Sequence, residues 1–157
     1  MLGLVDDQNY ARRVRVRRNA AGLSQRQLAS LTGVRQPYIA QIEAGQRIPA
    51  GSTRQAIGRV LDLRPAALLR LLADDVERTV AKSGASNPRV FGSVARGSDQ
   101  PGSDIDLVVS FPPAASIIEV LALEEELSAL LTVPVDVVAD SGAGPAMERV
   151  LAEAVPL

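Results

Sequence analysis

The sequence predicts two domains: a five-helix all-α bundle in residues 1–73 and an α/β domain with a small mixed sheet in residues 74–157. In the first half, capping residues and glycines delimit one helix after another, whereas the second half alternates short strands with helices. Charge divides at the same place. Residues 1–73 contain 12 basic and 4 acidic residues, and residues 74–157 contain 5 basic and 14 acidic residues. Such asymmetry favours two halves with different binding partners.

Helix limits in the first half follow from local signals. Ser24 is a favoured N-cap, Gly33 provides a turn, and Gly45 suits the left-handed position that ends a helix. Leu28 and Leu31 are expected to face inward on the second helix. These signals predict helices over residues 8–21, 25–31, 36–44, 52–61 and 65–72.

The second half is expected to begin with a helix over residues 74–82, nearly continuous with the one before it. Apolar runs predict strands over residues 89–92, 104–111 and 135–138, and further helices over residues 116–131 and 145–154. The helix over residues 116–131 is amphipathic, with an apolar set of Ile117, Val120, Leu121, Leu127, Leu130 and Leu131.

Composition restricts the chemistry. The chain contains neither cysteine nor histidine, which excludes disulfides, thiolate metal sites and the commonest general base. Catalysis must therefore depend on carboxylates, hydroxyls, arginines or a hard metal ion such as Mg²⁺. No apolar run approaches the roughly 20 residues that span a bilayer, so we expect a cytoplasmic protein without a membrane partner.

The segment from Gly22 to Pro49 predicts two short helices joined at Gly33, with one face of the second helix free to enter a DNA major groove. Leu-Ser-Gln at its start, a Gly-Val turn, and Ile-x-x-Ile-Glu-x-Gly followed by a proline resemble the Xre and phage-repressor family of helix-turn-helix regulators. The resemblance covers about residues 10–64. It implies binding of operator DNA as a homodimer. The alternative is a protein-protein adaptor, and the basic charge of this half argues against it, because neutralisation of phosphates supplies most nonspecific affinity for DNA.

The resemblance also implies roles for single residues. Gln25 matches a position that holds a DNA phosphate, and Gln36 and Gln41 match positions that read base edges. Tyr38 lies between them, and Pro37 replaces a residue that is polar in many relatives. The candidate DNA-binding residues are Gln25, Arg35, Gln36, Tyr38, Gln41 and Arg47.

The second motif places carboxylates on one face of a strand. Asp104 and Asp106 are two residues apart and project together, while the residues between and after them face the core. Asp136 alternates in the same way on a later strand. If the two strands are neighbours, three carboxylates converge and suit Mg²⁺. Upstream, Gly92 permits close approach of a phosphate and Ser93 offers a hydroxyl, with a helix expected from about Val94.

Gly-Ser-x-x-Arg-Gly followed by Ser-Asp-Ile-Asp-Leu is similar to the minimal (MNT) form of the DNA polymerase β-type nucleotidyltransferase superfamily, over about residues 75–157. The resemblance implies that Asp104, Asp106 and Asp136 hold two Mg²⁺ ions and act catalytically. It also implies that ATP or another nucleoside triphosphate is the substrate. The implied nucleotide-binding residues are Gly92, Ser93, Arg96 and Ser103.

Proteins of this family pair as antitoxins with HEPN-type ribonuclease toxins and modify them with AMP. Fusion to a DNA-binding domain therefore implies an antitoxin that represses its own operon and transfers AMP to a cognate HEPN-type toxin. One alternative is a transcriptional regulator whose second domain binds nucleotide or toxin without turnover. Another is an independent enzyme that acts on a small molecule or RNA; we expect this less, since about 84 residues leave little room for an acceptor-binding domain.

Overall fold

The computed structural model describes residues 2–157, with side chains described from residue 9 onward. The chain forms two compact units, Met1–Leu63 and Arg64–Leu157. This division falls before the expected boundary at residues 73 and 74, which lies inside a helix. Among the described residues, no helix has the length and apolar character needed to cross a membrane.

The first unit is built from helices around a small aliphatic core. The expected fifth helix groups with the second unit, because its buried residues pack there. The core consists of Val14, Leu28, Ile39, Ile42, Ile57 and Leu61. The helices are α1 (Leu2–Ala20), α2 (Gln25–Thr32), α3 (Gln36–Glu43) and α4 (Gly51–Val60).

Local chemistry sets the limits of α2 as the sequence predicts. The Ser24 hydroxyl accepts a hydrogen bond from the Gln27 backbone N–H, and the Gln27 side chain accepts one from the Ser24 N–H. Gly33 ends the helix with a φ of 71°. The expected inward orientation of Leu31 is wrong, since this side chain is 61% exposed. Three residues after the buried Leu28, it lies beyond the contact of α2 with α3.

The second unit opens with α5 (Pro65–Lys82), which joins the two helices expected over residues 65–72 and 74–82. They meet at Leu72, whose φ of −108° and ψ of 16° are not helical. Leu68, Leu69, Val76 and Val80 are buried on both sides of this kink. The helix therefore changes direction while continuing to pack against the same core.

The predicted small mixed sheet is confirmed, and it contains four strands. Strand β2 lies between β3, which is parallel to it, and β1, which is antiparallel. The sequence did not predict a fourth strand, which pairs with β1 through only two residues. The order is β3-β2-β1-β4, with β1 (Ser86–Phe91), β2 (Ile105–Ser110), β3 (Val135–Ala139) and β4 (Val155–Pro156).

Three further helices belong to this unit, namely α6 (Gly92–Ala95), α7 (Ile117–Leu131) and α8 (Pro145–Glu153). Helix α7 buries Leu123, Leu127 and Leu131 against β3 and α5. The opposite side of its first turns is exposed. Ile117 and Leu121, placed in the apolar set of this helix, are 68% and 54% exposed.

Candidate active site and candidate DNA-binding surface

A chain of hydrogen bonds connects three helices of the first unit. The carboxylate of Glu43, on α3, is buried and accepts hydrogen bonds from Arg18, at 2.6 and 3.0 Å. It also accepts one from Gln25 Nε2 at 2.9 Å, and Gln25 Oε1 accepts one from Gln36 Nε2 at 2.9 Å. Two residues that the sequence predicts to contact DNA are thus held against each other, although the sequence analysis assigned no role to Arg18 or Glu43.

The other candidate DNA-binding residues surround one shallow depression. Arg35, Tyr38, Gln41 and Arg47 line it together with Pro37 and Ile48. Arg35, Gln41 and Arg47 are exposed, and Tyr38 is half-buried. Ile48 was missed by the sequence analysis although it is 59% exposed beside two cations, because isoleucine is not a typical polar contact residue. This surface combines guanidinium, amide and apolar groups, which suits contacts to both phosphates and base edges.

Three carboxylates meet in the second unit at the start of two parallel strands. Asp106 on β2 and Asp136 on β3 are register partners, and Asp104 immediately precedes β2. One carboxylate oxygen from each residue lies within 4.8 Å of the others. Ile105 and Leu107 are fully buried, as the alternation predicts. The parallel pairing of β2 with β3 is what brings Asp136 beside the other two.

Burial raises the pKa of Asp106, and the neighbouring charges of Asp104 and Asp136 raise it further. Arg96 opposes this rise, and Glu153 adds to it. Three carboxylates this close repel one another unless a cation lies between them. Their oxygens are the ligands that hard divalent cations such as Mg²⁺ prefer, so the residues present fit such an ion.

The loop between β1 and β2 places a hydroxyl near these carboxylates. Gly92 is buried and has a φ of 68°, and Ser93 follows it in the single turn of α6. Among the described residues, Ser93 Oγ has no hydrogen-bond partner although it is buried. The helix expected near Val94 is only four residues long, so its dipole is too small to be a major phosphate-binding element.

Two other expected nucleotide-binding residues have partners within the unit. The Arg96 guanidinium forms an ion pair with Glu153, near the end of α8. No motif or spacing indicates this contact, because the two residues are far apart along the chain. Ser103 Oγ accepts a hydrogen bond from the Gln100 N–H at 3.0 Å, which closes the loop just before Asp104.

Several acidic residues outside the three-aspartate cluster have structural contacts. Asp99, in the loop between α6 and β2, is fully buried and pairs with Arg64. Asp140 also lies outside the three-carboxylate cluster, and its side chain bonds Ser110 and Arg89. Glu124 accepts a hydrogen bond from the Val137 N–H at 3.1 Å, which connects α7 to β3.

Comparisons with known proteins agree with this architecture. A helix-turn-helix family model matches residues 14–68, and a nucleotidyltransferase domain model matches residues 76–156. A Methanocaldococcus jannaschii protein assigned as a protein adenylyltransferase is 36% identical over 75 residues, which make up 47% of this chain and 81% of that protein. Protein adenylyltransferase MntA of Thermococcus cleftensis is 44% identical over 52 residues, 33% of this chain and 52% of that protein.

A solved structure assigned to a minimal nucleotidyltransferase superposes with a TM-score of 0.53 at 41% identity. It covers 59% of this chain and 95% of its own. Both the sequence similarity and the shared fold therefore concern the unit that carries the three aspartates. The chain belongs to the nucleotidyltransferase domain family and is a nucleotidyltransferase whose enzyme domain follows a helix-turn-helix region.

Proposed function

We propose that this protein is an antitoxin and autorepressor, which binds operator DNA and transfers AMP from ATP to a cognate HEPN-type toxin. The observation that carries the transferase part is the convergence of Asp104, Asp106 and Asp136, with the loop residue Gly92 packed directly against Asp106. An acceptor protein is supported by the relatives that are named protein adenylyltransferases.

The three aspartates are the residues that would hold Mg²⁺, as two ions. Bound there, the metal supplies positive charge that favours binding of the triphosphate and stabilises the attacking and leaving oxygens. Asp104 and Asp106 would hold the metal from the start of β2, and Asp136 would add a carboxylate from β3. The raised pKa of Asp106 is consistent with a site that is complete only with a cation.

The loop residues bind and orient the nucleotide. Ser93 donates its free hydroxyl to a phosphate oxygen, and Gly92 lets the backbone come close to it. Arg96 neutralises phosphate charge, and Ser103 holds the loop that leads into Asp104.

In the reaction, the acceptor hydroxyl oxygen forms a bond to the α-phosphorus of ATP. The bond between that phosphorus and the bridging oxygen to the β-phosphate breaks, and pyrophosphate leaves. The hydroxyl proton passes to the Asp136 carboxylate and from there to water. The product is an AMP-modified protein whose new negative charge alters the surface of the toxin.

Operator binding belongs to the first unit. Gln36, held by Gln25, and Gln41 read base edges from α3, and Tyr38 contacts a thymine methyl or a phosphate. Arg35 and Arg47 hold phosphates on either side, which fixes position without reading sequence. Two copies bind as a homodimer on two half-sites about one helical turn apart.

The transfer is tested with α-labelled ATP, Mg²⁺ and the product of the neighbouring reading frame. Label should reach that product with the wild-type protein and be lost in Asp104→Ala and Asp106→Ala. Asp74→Ala, which removes an exposed carboxylate elsewhere in the unit, should transfer normally. Stable binding of the product without any transfer would favour the non-catalytic alternative.

Operator binding is tested with DNA from the promoter of this gene. Gln36→Ala and Gln41→Ala should each weaken binding by about 1–3 kcal/mol, the usual value of a bidentate base contact. Gln55→Ala, an exposed glutamine on α4, is the matched control. Nucleotide transfer should survive in all three variants. Unchanged affinity in both α3 variants would rule out this base-reading assignment.

A further inference from the structure

Helix α7 carries an exposed apolar surface that the proposed chemistry does not use. Ile118 is 73% exposed and Leu121 is 54% exposed. They are three residues apart and therefore lie on one side of the helix. Glu125, also exposed, is one turn after Leu121 on that same side. We call Ile118, Leu121 and Glu125 the α7 stripe.

The stripe faces away from the fold. The opposite side of α7 holds the buried Leu123, Leu127 and Leu131 and packs against β3 and α5. The helix is anchored by these contacts and capped by Ser116 and Glu119, which exchange hydrogen bonds. A rigid helix that exposes two large aliphatic side chains in succession is typical of a surface for another helix.

The charge of the α7 stripe distinguishes between a second copy of the chain and a different protein as its binding partner. A second copy of α7 could not provide a cation for Glu125, because this helix contains four glutamates and neither lysine nor arginine. Two copies of the stripe would therefore bring like charges together, which is costly. A partner with apolar residues three apart and a lysine or arginine one turn further satisfies all three positions.

We infer that the α7 stripe docks a basic amphipathic helix of the acceptor protein. The inference rests on the proposed function, because it takes the substrate of the transfer as the occupant. The position of the α7 stripe relative to Asp136 supports this inference. Helix α7 ends at Leu131, shortly before β3 and Asp136, and rises about 1.5 Å per residue. A helix docked on the stripe would therefore lie about 15 Å along α7 from its Leu131 end, which leads to Asp136. At that distance the three aspartates remain accessible to the nucleotide and to the acceptor hydroxyl.

Calorimetric titration of the full chain with the product of the neighbouring reading frame tests this. Ile118→Ser combined with Leu121→Ser, and separately Glu125→Arg, should weaken binding at least tenfold. Leu31→Ser and Glu148→Arg remove an exposed leucine and reverse an exposed carboxylate outside the stripe, and should bind like the wild type. Equal melting temperatures would show that all variants fold, since the changed residues are exposed.

The results of these experiments distinguish failure of the docking inference from failure of the proposed function. Unchanged affinity in the stripe variants, or no binding of the product by the wild-type chain, overturns the inference. A dimeric wild-type chain that the stripe variants convert to monomers also overturns it, because the occupant is then a second copy. If label transfer is unaffected by the stripe variants, docking fails and the proposed function survives. If binding depends on the stripe but the wild type transfers no label, the proposed reaction fails and the docking surface stands.

Discussion

Gly92 and Asp106 approach so closely that a Cβ atom on residue 92 would lie 2.0 Å from Asp106 Oδ2. Gly92 also has a left-handed φ of 68°, which disfavours any side chain. The geometry of the loop is thus tied to the position of a carboxylate in the three-aspartate cluster. A methyl group at residue 92 must displace the Asp106 side chain.

We therefore expect Gly92→Ala to lower the transfer rate by about a hundredfold or more, the scale that misplacement of a reacting group by 1 Å can cost. Steady-state transfer of labelled AMP measures this. Gly97→Ala is the matched control, because Gly97 has a φ of 69° but open space where its Cβ would lie. Both variants should lose about 1–2 kcal/mol from left-handed strain, but only Gly92→Ala should lose activity. Similar activity in the two variants would contradict the argument.

Glu153 would compete with a triphosphate for Arg96 under the proposed function. Because the two side chains form an exposed ion pair next to the aspartates, Glu153→Gln should release Arg96 and remove a repulsive charge. We expect nucleotide affinity to rise a few-fold, and Arg96→Ala to lower it about tenfold. Fluorescent-nucleotide titration measures both changes, with Glu148→Gln on the same helix as control. Weaker binding in Glu153→Gln would show instead that this residue holds Arg96 in its working position.

Glu43 holds the side chains behind the candidate DNA-binding surface through hydrogen bonds. Its side chain is buried and holds both Arg18 and Gln25, so Glu43→Ala leaves the guanidinium of Arg18 without its main partner. Breaking a buried pair in this way costs about 3–5 kcal/mol. Urea unfolding should show that loss, and operator affinity should fall because Gln25 no longer positions Gln36. Gln46→Ala, an exposed residue just past α3, should change neither quantity. Wild-type stability in Glu43→Ala would refute the prediction.

Asp99 should make the second unit sensitive to acid. Burial raises the pKa of this carboxyl, but hydrogen bonds from the Ala66 N–H and the Arg64 guanidinium outweigh that effect and hold the pKa below its usual value. The stabilisation that the Asp99 carboxylate gives the folded state is therefore complete above the unfolded pKa of about 3.9. It is lost as the pH falls through the lower pKa of the folded state. Asp99→Asn should be about 1–3 kcal/mol less stable at pH 7. In urea unfolding, the difference in free energy of unfolding between Asp99→Asn and the wild type should shrink below about pH 4. A difference that stays constant as the pH is lowered would contradict this prediction.

Much of the site was predictable because its signals are local. Alternation in a strand requires Asp104 and Asp106 to share a face, and Ser24 and Gly33 delimit α2 through their own backbone preferences. The loop from Gly92 to Arg96 was recognisable for the same reason, since its residues are neighbours in the chain.

Contacts between distant residues were not predictable in this way. The ion pair of Arg96 with Glu153, the burial of Asp99 beneath Arg64, and the pairing of β4 with β1 depend on which surfaces meet. No periodicity or motif in the sequence indicates which of these surfaces are in contact. The exposure of Leu31 and Ile117 has the same origin, because helical spacing shows which residues share a side but not which of them a neighbouring element covers.

The sequence by itself determined that a basic helical half precedes an acidic half with three aspartates in strand contexts, because composition, caps and alternation are properties of short segments. The tertiary structure decided that Asp136 joins the other two, since only the parallel pairing of β2 with β3 places it in register with Asp106. It also decided where the chain divides. Helix α5 packs its buried residues against the second unit, and that burial of apolar surface assigns the helix to the second unit.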